Sequence, residues 1–288
     1  MELKSLQKQL KREQLKVRIR AFKKNKLSVV GLVIVTFMLL VALFAPLIAP
    51  YDPYKMDVVH MLKAPSAQHI FGTDDMGRDV FSRVVYGARI SLFVGFVVSA
   101  ISGTVGMLIG IYACSNPVLD NIFMRICDGL KAIPNTLFAI CLMAVLGPSL
   151  RNIIISLSLV SAPGIARMAR AQAMVAKEQT YVEAMRCLGA GKNRILWRHI
   201  MPNTLSPIIV QLTFVFAGAI VTEAALSFLG AGVPAGDPSW GSILSVGRSH
   251  IFTSWWLIAF PGIATALTVL GLNLFGDGIT DLIDPLTN

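Results

Sequence analysis

The sequence predicts an all-α integral membrane protein with six transmembrane helices and both termini in the cytoplasm. The 288 residues are 55% hydrophobic and only 15% charged, with a mean hydropathy of +0.66. A soluble domain carries roughly 25% charged residues, so this balance is typical of a chain that lies largely in lipid. Long uncharged segments alternate with polar connections, and the basic residues are concentrated on alternate connections. The three observations together predict both the membrane class and the topology.

The N-terminal segment, residues 1–26, holds ten Lys/Arg and two Glu. It is predicted to be a basic amphipathic tail that lies on the anionic lipid of the inner leaflet. Residues 27–49 follow without a charge, which is long enough to cross a bilayer. This apolar run is too long for a signal peptide, and a long basic region precedes it. We therefore expect a retained first transmembrane helix.

Residues 50–89 are mixed in charge, and Pro50, Pro53 and Pro65 lie among them. The segment is predicted to be an external loop with a short helix. Its order Asp-Asp-Met-Gly, ending at Gly77, suggests a calcium loop, but the alternating aspartates of such a loop are absent. The four cysteines form no Cys-x-x-Cys pair, so neither a disulfide framework nor a zinc site is expected.

Residues 90–276 are predicted to form a core of five transmembrane helices. The first of them, residues 90–113, contains glycines at spacings that allow close helix packing in lipid. The turn signal Gly147-Pro148-Ser149 divides the next apolar region into spans at about 132–147 and 152–166. Because backbone breaks at membrane depth are tolerated where they line a cavity, Pro163 and Gly164 are candidates for a translocation pathway.

The last two predicted spans are residues 205–222 and about 255–276, separated by an external loop at 231–254. Residues 277–288 are predicted to form a cytoplasmic tail. Glu223 directly follows the earlier span, whose eighteen residues rise about 27 Å as a helix. The carboxyl group is therefore expected near the outer interface, where it either makes a structural hydrogen bond or lies at the outer mouth of the pathway.

The polar segment 167–203 is the feature around which the rest of the chain is arranged. It carries seven Lys/Arg and two Glu between apolar regions. A helical stripe is predicted, with a glycine turn after it at Gly189 and Gly191. Asn193 can cap a second helix, residues 194–199, that should stop before Pro202. The apolar positions of the stripe are Tyr181, Ala184, Met185 and Leu188.

This helix–turn–helix is compatible with three interpretations: a solvated loop, a DNA-reading motif, and a docking element for a cytoplasmic partner. A loop tethered at both ends to a bilayer is badly placed for a duplex groove, so no nucleic acid partner is expected. Glu183-Ala184-Met185-x-x-x-Gly189, followed by His199-Ile200-Met201-Pro202-Asn203, resembles the E-A-A loop of ABC-importer permeases. Glu183, Ala184, Gly189 and Pro202 match that pattern, while Met185, His199 and Met201 depart from it.

The positive-inside rule determines the predicted orientation. With the N-terminus inside, the inner segments carry 19 Lys/Arg and the outer segments carry 7. The segment 167–203 then faces the cytoplasm, as a docking loop must. The net charge of +10 is explained by topology rather than by a nucleic acid site.

Two segments that are predicted to be external narrow the resemblance to one branch of the ABC-importer permeases. Residues 71–89 and 237–241 resemble the C-type permeases of dipeptide, oligopeptide, nickel and glutathione importers, found in the bacterial inner membrane. The resemblance implies a homologous second permease, two cytoplasmic ATPase subunits and an extracytoplasmic binding protein as partners. It also implies that ATP and Mg²⁺ bind the ATPases and that this chain has no cofactor. The residues it assigns to ATPase coupling are Tyr181, Glu183, Ala184, Met185, Leu188, Gly189 and Pro202.

No catalytic motif is evident, so the chain is not expected to be an enzyme. The run Gly189-Ala190-Gly191-Lys192-Asn193 lacks the first glycine and the Ser/Thr of a phosphate-binding loop. A secondary transporter or channel is the remaining alternative, but the span interiors hold no carboxylates for ion coupling. Short peptides are the expected substrates, with a nickel–chelator complex or glutathione as the alternatives.

Overall fold

The computed structural model describes residues 25–234 and 236–283, so the predicted basic tail and the last residues of the chain lie outside it. The described chain is helical, apart from an isolated antiparallel bridge between Thr73 and Asp79. A 3₁₀ turn, Val58–His60, interrupts the first external loop. The helices are α1 Lys26–Leu43, α2 Ala45–Ile48, α3 Val80–Ser115, α4 Pro117–Lys131, α5 Asn135–Leu146, α6 Leu150–Lys177, α7 Thr180–Cys187, α8 Lys192–Ile195, α9 Met201–Phe228, α10 Trp240–Ser249 and α11 Trp256–Ile283.

Five helices of the described chain are long and apolar enough to cross a membrane, and a bent pair makes a sixth crossing if it counts as one span. This confirms the predicted all-helical membrane class. The predicted sides of the membrane for the two termini stay predictions. α3 has 36 residues, or about 54 Å of helix, so it extends well beyond the hydrocarbon. It begins ten residues before the predicted second span because the Asp79 carboxylate caps its first turn at the Ser82 amide.

The predicted third span, 132–147, differs most from the structure. Its helical part, α5, has only 12 residues and rises about 18 Å, too little to cross alone. The polar stretch 114–131, between the predicted second and third spans, is not a simple connection, because the amphipathic helix α4 begins in it at Pro117. The two helices meet at an 89° bend in front of Pro134. Together the two helices are apolar and long enough for one broken span or a re-entrant loop.

Two predicted helix breaks at prolines are absent from the described structure. α6 continues through Pro163 to Lys177, well past the predicted end of the fourth span at residue 166. At the next proline, a short π-helical segment, Leu196–Ile200, joins α8 to α9, so helix runs without interruption from Lys192 to Phe228. Pro202 lies in the first turn of α9. The wider π turn explains how a residue without an amide hydrogen fits here.

Close packing of α3 against α6 forms the centre of the molecule. Ideal Cβ atoms at Gly106 and Gly110 would lie 2.8 Å and 2.5 Å from the carbonyl oxygens of Ala162 and Ala166. Only glycine permits this backbone approach, as the small-residue spacing predicts. α9 packs on the same pair of helices and on α11, and α11 packs on α1.

The loop between α2 and α3, predicted to be external, is tied to the neighbouring helix ends by buried polar contacts. The Asp74 carboxylate accepts hydrogen bonds from Arg78 Nε at 2.7 Å and from two backbone amides, and it lies 3.6 Å from Arg83 Nε. It is therefore satisfied by protein donors rather than placed as a calcium ligand. The Trp256 indole donates to the Thr73 carbonyl at 3.1 Å and is buried, whereas Trp255 is exposed. Trp256 thus fixes the loop to α11 instead of joining an interfacial belt.

Candidate coupling element and pathway groove

The candidate coupling element is the segment between α6 and α9, and it is more compact than the predicted 167–203 loop. Residues 167–177 belong to α6, and residues 192–203 belong to the helix that continues as α9. Residues 178–191 remain, comprising α7 and one glycine turn. A displacement of α7 would therefore be transmitted directly to two transmembrane helices.

The C-terminus of α7 is a complete Schellman motif. Gly189 has φ +77°, and its amide donates to the Arg186 carbonyl at 2.9 Å. The Ala190 amide donates to the Met185 carbonyl at 3.0 Å, and both residues pack against the same apolar cluster. This is the left-handed glycine cap that the sequence predicts. Gly191 differs from the prediction, because its φ is −64° and it, rather than Asn193, is the N-cap residue of α8.

The buried face of α7 is anchored in an apolar cluster at the ends of the spans that adjoin the 178–191 segment. Val182 is completely buried, and Met185 packs on the same cluster. The cluster draws on α3, α6 and the π segment, with Ile111, Ala173 and Ile200 among its members. The end of α6 is fixed nearby, since Lys177 Nζ donates to the Cys114 carbonyl of α3 at 2.9 Å. The helix is therefore held firmly by its buried side.

An adjacent face of α7 presents apolar side chains to solvent. Tyr181 and Leu188 are 39% and 77% exposed, and Ala184 between them is also exposed. Glu183 is exposed beside this row. Of the predicted stripe, only Met185 turns toward the protein. A short helix with one anchored apolar side and one exposed apolar side fits a partner contact better than a solvated loop.

The second half of the E-A-A-like motif holds the first half in place. The Asn203 side-chain amide donates to the Tyr181 hydroxyl at 2.9 Å and to the His199 carbonyl at 2.7 Å. The Tyr181 hydroxyl also donates to the His199 carbonyl at 3.3 Å. Pro202 is exposed in the intervening turn. The exposed face of α7 is therefore bonded to the start of α9.

Glu223 lies inside α9, not at its outer end, because α9 continues to Phe228. Its carboxylate is fully buried and accepts hydrogen bonds from three serine hydroxyls. These are Ser91 of α3 at 3.1 Å, Ser227 of α9 at 2.9 Å and Ser239 before α10 at 3.0 Å. The carboxylate thus joins three elements and does not line the groove described below. This geometry favours the structural interpretation of Glu223 over the mouth of a pathway.

A polar groove of about 240 Å³ lies between α5, α6 and α9. Gly164 lines it near the middle of α6, as the pathway interpretation expects, while Pro163 is buried on an adjacent side of the helix. Lys131 enters the groove from the bend between α4 and α5. Asn135, Ser161, Gln211 and Thr222 add polar groups, and the rest of the wall is apolar.

A second polar cavity, of about 470 Å³, lies between α4 and the inner half of α6. Arg170 forms a two-point ion pair with Asp120, with Nη2 2.5 Å from Oδ2. Arg167 lies 3.9 Å from Asp128 on the same two helices. Val160 and Gly164 line the groove and Arg167 lines this cavity, at helical spacings of four and three. One side of α6 therefore lines the groove and then, nearer to the coupling element, the cavity.

Sequence patterns gave no indication of Lys131, Gln211 or the serines around Glu223 as site residues. Lys131 ends the polar stretch before the predicted third span, so the sequence pattern does not place it beside the middle of α6. The sequence does contain a signal for a broken helix with a lysine at the break. Lys131 lies three residues before Pro134, at the start of an apolar run. Such broken helices commonly line transport pathways.

Comparison with known proteins agrees with this geometry. Residues 103–288 match the family model described as binding-protein-dependent transport system inner membrane component, and residues 14–65 match the N-terminal transmembrane domain of oligopeptide transport permease C. A putative peptide transport system permease of Brucella suis is 45% identical over 89% of this chain and 86% of its own length. The dipeptide transport system permease DppC of Escherichia coli is 44% identical over 92% of this chain and 90% of its own.

A solved structure shares the fold at lower sequence identity. The inward-facing MetNI methionine ABC transporter superposes with a TM-score of 0.58 and 19% identity, over 69% of this chain and 96% of the matched chain. The matched family is located in the inner membrane, which agrees with the several spans described here. This chain belongs to the family of inner-membrane components of binding-protein-dependent transport systems.

Proposed function

We propose that this chain is one permease half of an ATP-driven ABC importer for short peptides. Relatives named as peptide or dipeptide permeases are 40–45% identical to nearly the whole chain, which supports this substrate class. A nickel–chelator complex and glutathione are the competing substrates. A homologous permease would supply the other half of the pathway, and an extracytoplasmic binding protein would deliver the substrate.

The observation that carries the proposal is the two-sided packing of α7. Val182 and Met185 fix the helix to the spans, while Tyr181, Ala184 and Leu188 remain available to a partner. In the proposed complex this exposed row lies in a groove of a cytoplasmic ATPase subunit. Closure of two such ATPases on ATP would move α7 and, with it, α6 and α9. Access to the groove would then alternate between the two sides of the membrane.

The chemistry of ATP hydrolysis belongs, in this proposal, to the partner subunits. They would bind ATP and Mg²⁺, while this chain needs no cofactor of its own. The isolated polypeptide is therefore expected to show no ATP hydrolysis. Robust hydrolysis by the purified chain would contradict the permease assignment.

Reconstitution of the complete transporter tests the substrate and the energy source together. Uptake of a labelled dipeptide, a nickel–chelator complex and glutathione would be compared in vesicles, with and without internal ATP. We expect ATP-dependent uptake that is fastest for the dipeptide. Uptake driven by an ion gradient without ATP would instead support a secondary transporter. Preference for nickel or glutathione would overturn the peptide assignment but not the coupling mechanism.

Crosslinking tests the docking face directly. A Cys at Ala184, in a Cys141→Ser and Cys187→Ser background that removes the two exposed native thiols, is expected to trap an ATPase subunit. Glu183→Lys should abolish transport at unchanged membrane abundance, because reversal of an exposed charge at the docking edge opposes any basic partner surface. Crosslinking and transport that both survive Glu183→Lys would show that this face does not dock an ATPase.

A further inference from the structure

The groove between α5, α6 and α9 contains a cation in its wall. Among the described side chains that line it, Lys131 is the one that ionises. Its ammonium donates a 3.2 Å hydrogen bond to Asn135 Oδ1, a neutral acceptor. The lining contains no carboxylate of the described chain that could neutralise it.

The groove places Lys131 against a membrane-spanning helix, where an unneutralised charge is costly. Its Nζ lies 3.6 Å from the position of an ideal Cβ on Gly164, which is ordinary van der Waals contact. Gly164 precedes Arg167, where the predicted cytoplasmic segment begins, by three residues, so Lys131 lies toward the cytoplasmic end of the predicted fourth span. Ionisable side chains are rare in such segments. Such residues generally face a water-filled path and meet an opposite charge there.

The remaining lining is suited to a peptide rather than to an inorganic ion. Ser161, Gln211 and Thr222 offer hydrogen-bonding groups, and Phe214, Val160 and Val215 offer apolar surface. A bare metal cation would be repelled by the ammonium, and it would find no carboxylate ligand among the described lining residues. A peptide with a free C-terminus brings one carboxylate, which Lys131 can pair with while the amides meet the polar groups.

We propose that Lys131 is a specificity-determining residue of the translocation pathway, and that its ammonium binds the carboxylate of a passing peptide. This inference rests on the proposed function and names the group of the substrate that the chain recognises. The Lys131–carboxylate pair would lower the desolvation cost of moving the negative charge of the peptide through the membrane. A carboxylate of the second permease subunit is the competing partner for the same ammonium.

The test uses the complete transporter in vesicles with its binding protein and a labelled dipeptide. Transport and ATP hydrolysis would be measured, with and without peptide, for Lys131→Arg, Lys131→Met and Lys131→Glu. Lys55→Met is the matched control, because Lys55 is exposed on the external loop. We expect Lys131→Met to lower peptide transport about tenfold, Lys131→Glu to lower it further, and Lys131→Arg and Lys55→Met to keep most of it. Hydrolysis without peptide should stay at the wild-type rate in all of them.

Each other result overturns the inference. Equal transport by the Met and wild-type forms would show that Lys131 does not meet the substrate. A fall in hydrolysis with and without peptide, or loss of complex assembly, would show that Lys131 pairs with the second permease or supports folding. Failure of the wild-type transporter to move any peptide would instead contradict the proposed function.

Discussion

The Tyr181 hydroxyl on α7 accepts a 2.9 Å hydrogen bond from the Asn203 side chain in the first turn of α9. The two residues lie at opposite ends of the E-A-A-like motif, 22 positions apart in sequence. Asn203 also bonds the His199 carbonyl, so the bond links the exposed face of α7 to the backbone that enters the membrane. This contact gives a route by which a partner's motion at α7 could reach α9.

Tyr181→Phe is predicted to weaken coupling without unfolding the protein. The change removes the hydroxyl but leaves the ring on the docking face and leaves the Asn203–His199 bond intact. A single hydrogen bond contributes about 0.5–1.5 kcal/mol, so the melting temperature should change little. Peptide transported per ATP hydrolysed is expected to fall severalfold. Tyr112→Phe is the matched control, since the ring contact of Tyr112 with Trp197 survives that change. Equal coupling ratios in both variants would contradict a role for the Tyr181–Asn203 bond.

Gly189→Ala and Gly191→Ala form a matched pair that tests the turn after α7. No described atom beyond its immediate neighbours lies within 4 Å of an ideal Cβ at either position. Only Gly189 has a left-handed φ, which costs an alanine about 1–2 kcal/mol. We expect Gly189→Ala to increase proteolysis of the 178–191 segment and to reduce Ala184→Cys crosslinking. Gly191→Ala should resemble the wild type. Gly189→Asp should abolish transport, because it adds an unfavourable charge at a helix C-terminus.

Glu223 is predicted to stabilise the outer part of the molecule rather than to recognise substrate. Glu223→Ala leaves three buried serine hydroxyls without their common acceptor, at a cost of about 1–3 kcal/mol each where no new partner forms. The variant should therefore show a markedly lower melting temperature and abundance. Glu223→Gln keeps one acceptor oxygen, so its melting temperature and abundance should lie between those of the wild type and those of Glu223→Ala. Substrate preference in the remaining folded transporter should be unchanged. A shift in preference at full stability would restore the pathway interpretation.

Topology can be checked by thiol labelling at positions that the structure shows to be exposed. Val59 and Asp237 lie on the two predicted external loops and are exposed, so a Cys at either should react in intact cells. Glu178 and the native Cys187 are exposed at the coupling element and should react only after permeabilisation. Glu178 is a better labelling position than the neighbouring Lys177, because a Cys at Lys177 would remove the hydrogen bond from its ammonium to the Cys114 carbonyl. Labelling of Cys187 from outside would reverse the predicted orientation.

Helix bounds show where local sequence patterns lose their predictive power. Local patterns predict a helix break at Pro163 and a helix end before Pro202, because proline lacks an amide hydrogen and crowds the preceding turn. In the structure α6 continues through the first, and a π turn accommodates the second. Packing of α6 against α3, at Gly106 and Gly110, outweighs the local preference at Pro163. Contacts between distant helices decide such cases, and a local window does not contain them.

The sequence by itself determined the membrane class, the coupling motif and the left-handed turn at Gly189, because apolar length and glycine conformation are local properties. Helical spacing also predicted the apolar stripe of α7, whereas the inward turn of Met185 and the exposure of the other three members depend on tertiary packing. Only the tertiary structure placed Lys131 beside Gly164, and enclosed Glu223 with a serine 132 residues away in sequence. Those relationships arise from how α3, α4, α6 and α9 pack on one another. Until that packing is known, the sequence does not show whether a charged side chain is solvated, paired with an opposite charge or part of the lining of a pathway.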